Sequence, residues 1–234
     1  MKTFKHSGDI GDIIFSLPTI RALGGGKLYL DPEGGESSPY VRWMHKTRTK
    51  LNIKTIESLK PLLELQPYIS SVEPLSGQKV DYDLDQFRHH IKFNNLSDSH
   101  LDCFNLPKTH RNEPWITGVE PIILDKKIVI SRSPRVHGNH EFWESTLPQI
   151  KDRCVFVGFE KEHEIVEYTF DVKIEHYKTE TILELARVIA GCDEFYGNQS
   201  FAHSLAEGMK KNIIHEYYRV YPAAIFERPG ARYV

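Results

Sequence analysis

The chain has 234 residues, 40% of them hydrophobic and 26% charged, a composition that builds a packed core and excludes disorder as the dominant state. Thirty basic residues against thirty-two acidic ones leave a formal charge of −2, so no global field draws in nucleic acid or an anionic membrane. Such a length suits one large α/β domain or two small ones.

Cys103, Cys154 and Cys192 are odd in number and far apart, which fits a reducing compartment better than a disulfide framework. The opening MKTFKHSGDIGD lacks a long apolar run, and no stretch approaches the roughly 20 apolar residues of a membrane span. The expectation is a cytoplasmic protein without a transmembrane segment.

Lys2 to His6 reads as a first strand, followed by the glycine turn Ser7-Gly8-Asp9-Ile10-Gly11-Asp12 and an apolar helix. Pro18 predicts either a helix that starts near Ser16, with the proline in its first turn, or a kink at that point. Lys27 to Leu30 is a second strand, Ile56 to Leu65 a helix, Ile69 to Val72 a short strand and Val80 to Asp85 another; residues 86 to 118 carry no regular pattern. This alternation is that of a parallel sheet with helices on its faces.

A second unit begins near Glu120-Pro121, with domains expected at 1–118 and 119–234. Lys127 to Ser131 reads as a strand, Phe142 to Ile150 as a helix and Cys154 to Gly158 as a buried strand. Thr181 with Glu184 makes a capping box before an amphipathic helix. Glu194 to Tyr196 is a strand, Gly197 to Ser200 a turn, Phe201 to Met209 a helix and Asn212 to Glu216 a last strand.

Three turns can carry chemistry. In the first, the N–H groups near Gly8, Asp9 and Gly11 lie where a strand feeds a helix and can hold a polar substrate, while Asp9 and Asp12 supply carboxylates able to accept a proton. The same spacing also suits two aspartates that merely cap the helix. The second, after Ser131, carries Arg132, Ser133, Arg135 and His137, cations suited to phosphate oxygens or to a solvated basic loop. The third, Asn198-Gln199-Ser200, leads into a helix with His203 and Glu207 four residues apart, a phosphate cradle or a surface pair. Asp81, Asp83 and Asp85 form overlapping DxD tripeptides; alternation along a strand puts all three on one side of the sheet, and a metal site is the minor reading.

In this order the pieces resemble the heptosyltransferase-like family 9 glycosyltransferases. GDIGDIIFSLPTIRAL is similar to that family's N-terminal signature, Tyr82-Asp83 to its "YDxxID" strand, and KIVISRSPR with VFVGFEKE to the opening of its nucleotide-binding lobe. ELARVIAGCDEFYGNQSFAHSLAEGMKKNIIHE resembles its closing block. The resemblance implies a GT-B-like α/β fold of two Rossmann-like lobes with parallel sheets flanked by helices, an N-terminal acceptor-side lobe and a C-terminal nucleotide-sugar lobe. It implies a nucleotide-sugar co-substrate in the cleft, with no other cofactor and usually no metal. By this likeness Asp12 matches the general base, and Arg132, Arg135 and the N–H groups near Ser200 hold the diphosphate. Ser133, Gly158, Asn198, Gln199 and His203 line the donor, and Glu207 reaches the ribose. Gln199 stands where the family commonly has aspartate, Phe201 replaces a glycine in a segment one residue shorter before His203, and the chain is shorter than a usual member.

The resulting expectation is an inverting, metal-independent glycosyltransferase acting on an acceptor hydroxyl. The acceptor is a glycan, a small molecule or a modified nucleic acid, hydroxymethylated DNA bases included. The alternatives are a nucleotide-sugar epimerase and a non-catalytic nucleotide- or sugar-binding module.

Overall fold

A computed structural model describes residues 1–35, 50–90, 95–135, 138–218 and 222–234; His137 lies outside them. The chain separates into two compact units, residues 1–118 and 119–234.

The first unit runs β1 (Lys2–His6), α1 (Ile10–Ala22), β2 (Gly26–Leu30), α2 (Ile53–Glu64), β3 (Ile69–Pro74), β4 (Tyr82–Asp83) and α3 (Leu96–Asp102). Its four described strands lie in the order β3-β2-β1-β4, all parallel. Strand alternation explains why β1 buries Phe4 and His6 while Thr3 and Lys5 face the acidic segment. Thr3 donates to Asp81, Lys5 to Asp83 and Ser7 to Asp85, so alternate residues of one edge meet alternate aspartates of the other. The three carboxylates do share a side, and β1 engages each of them.

The fourth strand is shorter than expected. Asp83 accepts from the Asp85 N–H at 3.0 Å and turns the chain into a 3-10 helix over Leu84–His89, which ends the ladder.

Helix α1 starts at Ile10, so the expectation of a start near Ser16 is corrected; Pro18 sits inside it. A proline there costs about 3 kcal/mol. Every residue from Ile13 to Ile20 is buried, and each large apolar side chain among them contributes about 1.5–3 kcal/mol, which outweighs that cost. At the turn into β2, Gly25 has φ 72° and any Cβ would overlap the Tyr68 carbonyl, so only glycine fits. The stretch without a sequence pattern holds α3, capped by Asn95 Oδ1 on the Asp98 N–H at 2.8 Å.

The second unit runs β5 (Ile128–Ser131), α4 (His140–Ile150), β6 (Cys154–Phe156), α5 (Glu160–Phe170), β7 (Glu175–His176), α6 (Ile182–Gly191), β8 (Glu194–Asn198), α7 (Phe201–Gly208), β9 (Asn212–Glu216) and β10 (Ala231–Tyr233). The expectation that Asn212 to Glu216 is the last strand is corrected: β10 adds a further parallel strand on β9. The six described strands are ordered β10-β9-β8-β5-β6-β7, and their pairings are parallel. Counted from β5, this is the order 3-2-1-4-5-6 of the dinucleotide-binding doubly wound fold.

Strand β5 is buried at every position, as expected of a central parallel strand covered on both faces. Ile128, Ile130 and Phe156 pack with Trp143 and Leu147 of α4 and Val166 and Phe170 of α5. Thr181 caps α6 by accepting the Glu184 N–H at 3.0 Å, but the Glu184 carboxylate reaches back to the Glu180 N–H at 2.7 Å.

Candidate functional site

In a doubly wound sheet, ligands bind at the carboxyl ends of the strands where the strand order reverses. That point falls between β5 and β8 in the second unit and between β1 and β4 in the first. The predicted turns lie at these ends.

In the second unit, Ser133 and Asn198 close the gap. The Ser133 N–H donates to Asn198 Oδ1 at 2.9 Å, and Asn198 Nδ2 donates to the Ser133 carbonyl at 2.6 Å. Gly197 lets the strands come this close, since a Cβ there would sit 2.5 Å from the Ser131 carbonyl oxygen. Beyond Asn198, Gln199 is half-buried and Ser200 caps α7, its hydroxyl oxygen accepting the His203 N–H at 3.3 Å. The remaining N–H groups of the first turn of α7 form a site of positive potential. Arg135 is exposed beside this edge, its N–H donating to Ser133 Oγ at 3.2 Å. Gly158 follows β6, the neighbour of β5 on its other side, and its carbonyl faces His176 Nε2 at 3.0 Å.

Arg132 has a different setting from Arg135. It is buried, and its Nε and Nη2 donate to Glu216 at 2.8 and 3.1 Å. Glu216, the last residue of β9, also accepts from the Gly138 N–H at 2.9 Å, the Asn139 N–H at 3.0 Å and Trp143 Nε1 at 2.6 Å. Burial alone would push its carboxyl up, yet the Arg132 guanidinium and the two backbone donors outweigh burial and hold it below the ordinary glutamate value. The guanidinium also stacks over Phe170, 5.2 Å from the ring centre. Arg132 thus ties the loops after β5 and β9 together.

Glu207 is wholly buried and accepts from Lys210 Nζ at 2.6 Å and Arg228 Nε at 3.0 Å. It anchors the segment before β10. The His203 ring packs on His215 with centroids 4.1 Å apart. Burial first, then the charge of Arg228, holds it well below the usual imidazole range, so it is neutral near pH 7.

In the first unit, Ser7 and Asp85 make the matching closure. Asp85 accepts from the Ser7 N–H at 3.1 Å and the Ser7 hydroxyl at 2.6 Å, and pairs with Lys5 at 3.0 Å. Burial would raise its carboxyl; the Ser7 hydrogen bonds and Lys5 outweigh that and hold it below the ordinary aspartate value. Asp9 is the N-cap residue of α1 but its side chain makes no capping bond. Gly11 and Asp12 lie in the first turn, half-buried, and Asp12 Oδ2 lies 3.9 Å from Arg88 Nη2. The Gly8 N–H donates inward, to His6 Nδ1 at 2.8 Å, rather than outward to a ligand as the sequence suggests.

Sequence reasoning missed Glu216, Asp85 as a clasp, Arg88 and the buried pair His6–His100. Glu216 ends the NIIHE strand and Asp85 the DxD run, but nothing local marks their partners. Among the described residues no group of three or more His, Cys, Asp or Glu side chains is placed to hold a metal ion. None of the described helices is long and apolar enough to cross a membrane.

No family model and no curated protein matches the sequence. Solved structures do. E. coli heptosyltransferase WaaC with ADP superposes with a TM-score of 0.63 at 13% identity, covering 100% of this chain and 92% of that one. WaaC with ADP-2-deoxy-2-fluoro heptose gives 0.61 at 12%, covering 100% and 93%. A family 9 glycosyltransferase from Veillonella parvula gives 0.51 at 11%, covering 99% and 84%. Two parallel sheets flanked by helices, with these neighbours, define an α/β fold of the GT-B type. Within that type, the chain shares the fold of the heptosyltransferases, at low identity.

Proposed function

We propose that the chain is an inverting glycosyltransferase that moves a sugar from a nucleoside diphosphate to an acceptor hydroxyl. The observation that carries this reading is the Ser133–Asn198 clasp at the switch point of the second sheet, which sets the start of α7 beside it. A diphosphate there accepts from the N–H groups of the first turn of α7, with Arg135 and the Ser200 hydroxyl at the rim. The likeness to WaaC, whose structures hold ADP and an ADP-heptose analogue, supports a nucleotide sugar as the donor.

Asp12 takes the proton from the acceptor hydroxyl as its oxygen attacks the anomeric carbon from the face opposite the nucleotide. The bond from that carbon to the diphosphate oxygen breaks, the diphosphate keeps the electron pair, and configuration inverts. In this reading Arg132 shapes the donor loop through Glu216, and Glu207 acts through Arg228; neither touches the donor.

Asp12→Ala tests the assignment. Transfer should fall by a factor of about 100 or more while the donor Kd changes little. Unchanged turnover rejects Asp12 as the base. A second reading, nucleotide binding without turnover, is favoured by the engagement of Arg132 and Glu207 in buried ion pairs. It predicts donor binding with no transfer to any acceptor in the wild-type chain.

A further inference from the structure

His6, the last residue of β1, and His100, in α3, stand 94 positions apart in sequence and meet with their Nε2 atoms 3.1 Å apart. Both rings are fully buried. One nitrogen of such a pair must donate and the other accept, and the surrounding bonds decide which. His100 Nδ1 lies 2.7 Å from the Leu96 carbonyl oxygen, which only accepts, so the proton of His100 sits on Nδ1 and its Nε2 is bare. His6 Nδ1 receives the Gly8 N–H at 2.8 Å, a shorter contact than the 3.5 Å to Asp85 Oδ1, so it is bare, and the proton of His6 sits on Nε2, pointing at His100. The relay therefore has one direction throughout: Gly8 N–H to His6, His6 to His100, His100 to Leu96.

The environment keeps both rings neutral. Burial dominates for each, pushing His6 down to about 4 and His100 well below the imidazole range. Phe87 stacks on His100 with centroids 4.0 Å apart, fixing the plane of that ring. Gly8 is held against the pair, since a Cβ on it would lie 2.5 Å from His6 Cε1 and 2.9 Å from Asp12 Oδ2. Whatever fixes Gly8 thus fixes the surroundings of the Asp12 carboxylate.

We propose that His6 and His100 are positioning residues: His100 sets the tautomer of His6, whose bare Nδ1 anchors the Gly8 turn and holds Asp12 in place for proton abstraction. The proposal rests on Asp12 as the base, but its first test does not. Long-range nitrogen–proton correlation spectra of the full chain report which ring nitrogen of each histidine carries its proton. The expected result is His6 protonated on Nε2 and His100 on Nδ1; the opposite tautomers, or averaging of both on either ring, overturn the proposal.

Variants supply the second test. His100→Leu removes the acceptor, frees His6 to take the other tautomer, and should lower kcat by ten- to a hundredfold with donor KM unchanged, the order of loss expected from a slight misplacement of a reacting group. His100→Gln keeps an oxygen near the Nε2 position and should restore the His6 tautomer and most of the rate. Unchanged kcat in His100→Leu, or a rescue of rate without a rescue of tautomer, rejects the positioning role. If His100→Leu does not fold, the wild-type spectra and the glutamine variant decide. A wild-type chain that shows the expected tautomers but no transfer fails the functional reading and not the relay.

Discussion

Ser133 and Asn198 exchange two hydrogen bonds across the β5–β8 gap, N–H to Oδ1 at 2.9 Å and Nδ2 to carbonyl at 2.6 Å. A single side chain thereby satisfies both backbone polar groups of a buried residue 65 positions away. In the first unit Ser7 and Asp85 join the corresponding strands, with a carboxylate in place of the amide. Where an open sheet splays at its switch point, each unit spends a polar side chain to hold the edges together.

Asn198→Ala leaves the Ser133 N–H and carbonyl buried without that partner. An unsatisfied buried group costs about 1–3 kcal/mol, so the second unit should lose about 2 kcal/mol or more, read from its denaturant midpoint. Nucleotide affinity should fall with it. A midpoint within experimental error of the wild type contradicts the clasp.

Glu216→Gln removes the charge that neutralises Arg132 inside the protein. Breaking one partner of a buried ion pair costs about 3–5 kcal/mol, because the other charge is left uncompensated. The same variant weakens the Gly138, Asn139 and Trp143 contacts on that carboxylate. Chemical denaturation of the second unit checks the size; a loss below about 1 kcal/mol, typical of an exposed pair, contradicts a buried role.

Stability should fall on mild acidification, before the carboxylates titrate. His6 and His215 are held down to about 4 by burial, against 6.5 for a free imidazole. Between those values the unfolded chain binds protons that the folded chain refuses, so stability drops as pH falls from about 6.5 to 4, by about 3 kcal/mol for each ring. Asp85 and Glu216, whose folded values lie below 3.8 and 4.5, extend the loss below that range, as their folded-state advantage fades on protonation. Urea midpoints at pH 7 and pH 5 read the histidine part; equal midpoints show that these rings are not held neutral.

Much of this architecture was legible from local pattern. The short strand β1, the glycine turns and the amphipathic α6 each signal themselves within a dozen residues. Pro18 left a start near Ser16 open as one of two expectations because its cost is local, whereas the burial that offsets it comes from neighbours. Strand β10 escaped because Ala231–Tyr233 is too short for a periodic signal and forms only against β9. At the site, residue types pointed to the right turns but not to their partners. Arg132 and Arg135 look alike in sequence, and only the position of Glu216, 84 residues on, separates a buried strut from an exposed cation. His6 and His100 carry no sequence mark at all, since each is an ordinary core position until the other is placed beside it.

The central claim is that the carboxyl edge of the second sheet holds a nucleoside diphosphate. Calorimetric titration of the wild-type chain and of Ser200→Asp with ADP and other nucleoside diphosphates tests it directly. Aspartate keeps a side-chain acceptor for the His203 N–H at this cap and sets a negative charge at the entry to α7 that repels a diphosphate. Saturable one-to-one binding by the wild type, weakened at least tenfold in the variant with its fold intact by circular dichroism, is the predicted result. Absence of heat with every nucleoside diphosphate and nucleotide sugar, or equal affinity in a folded variant, contradicts it.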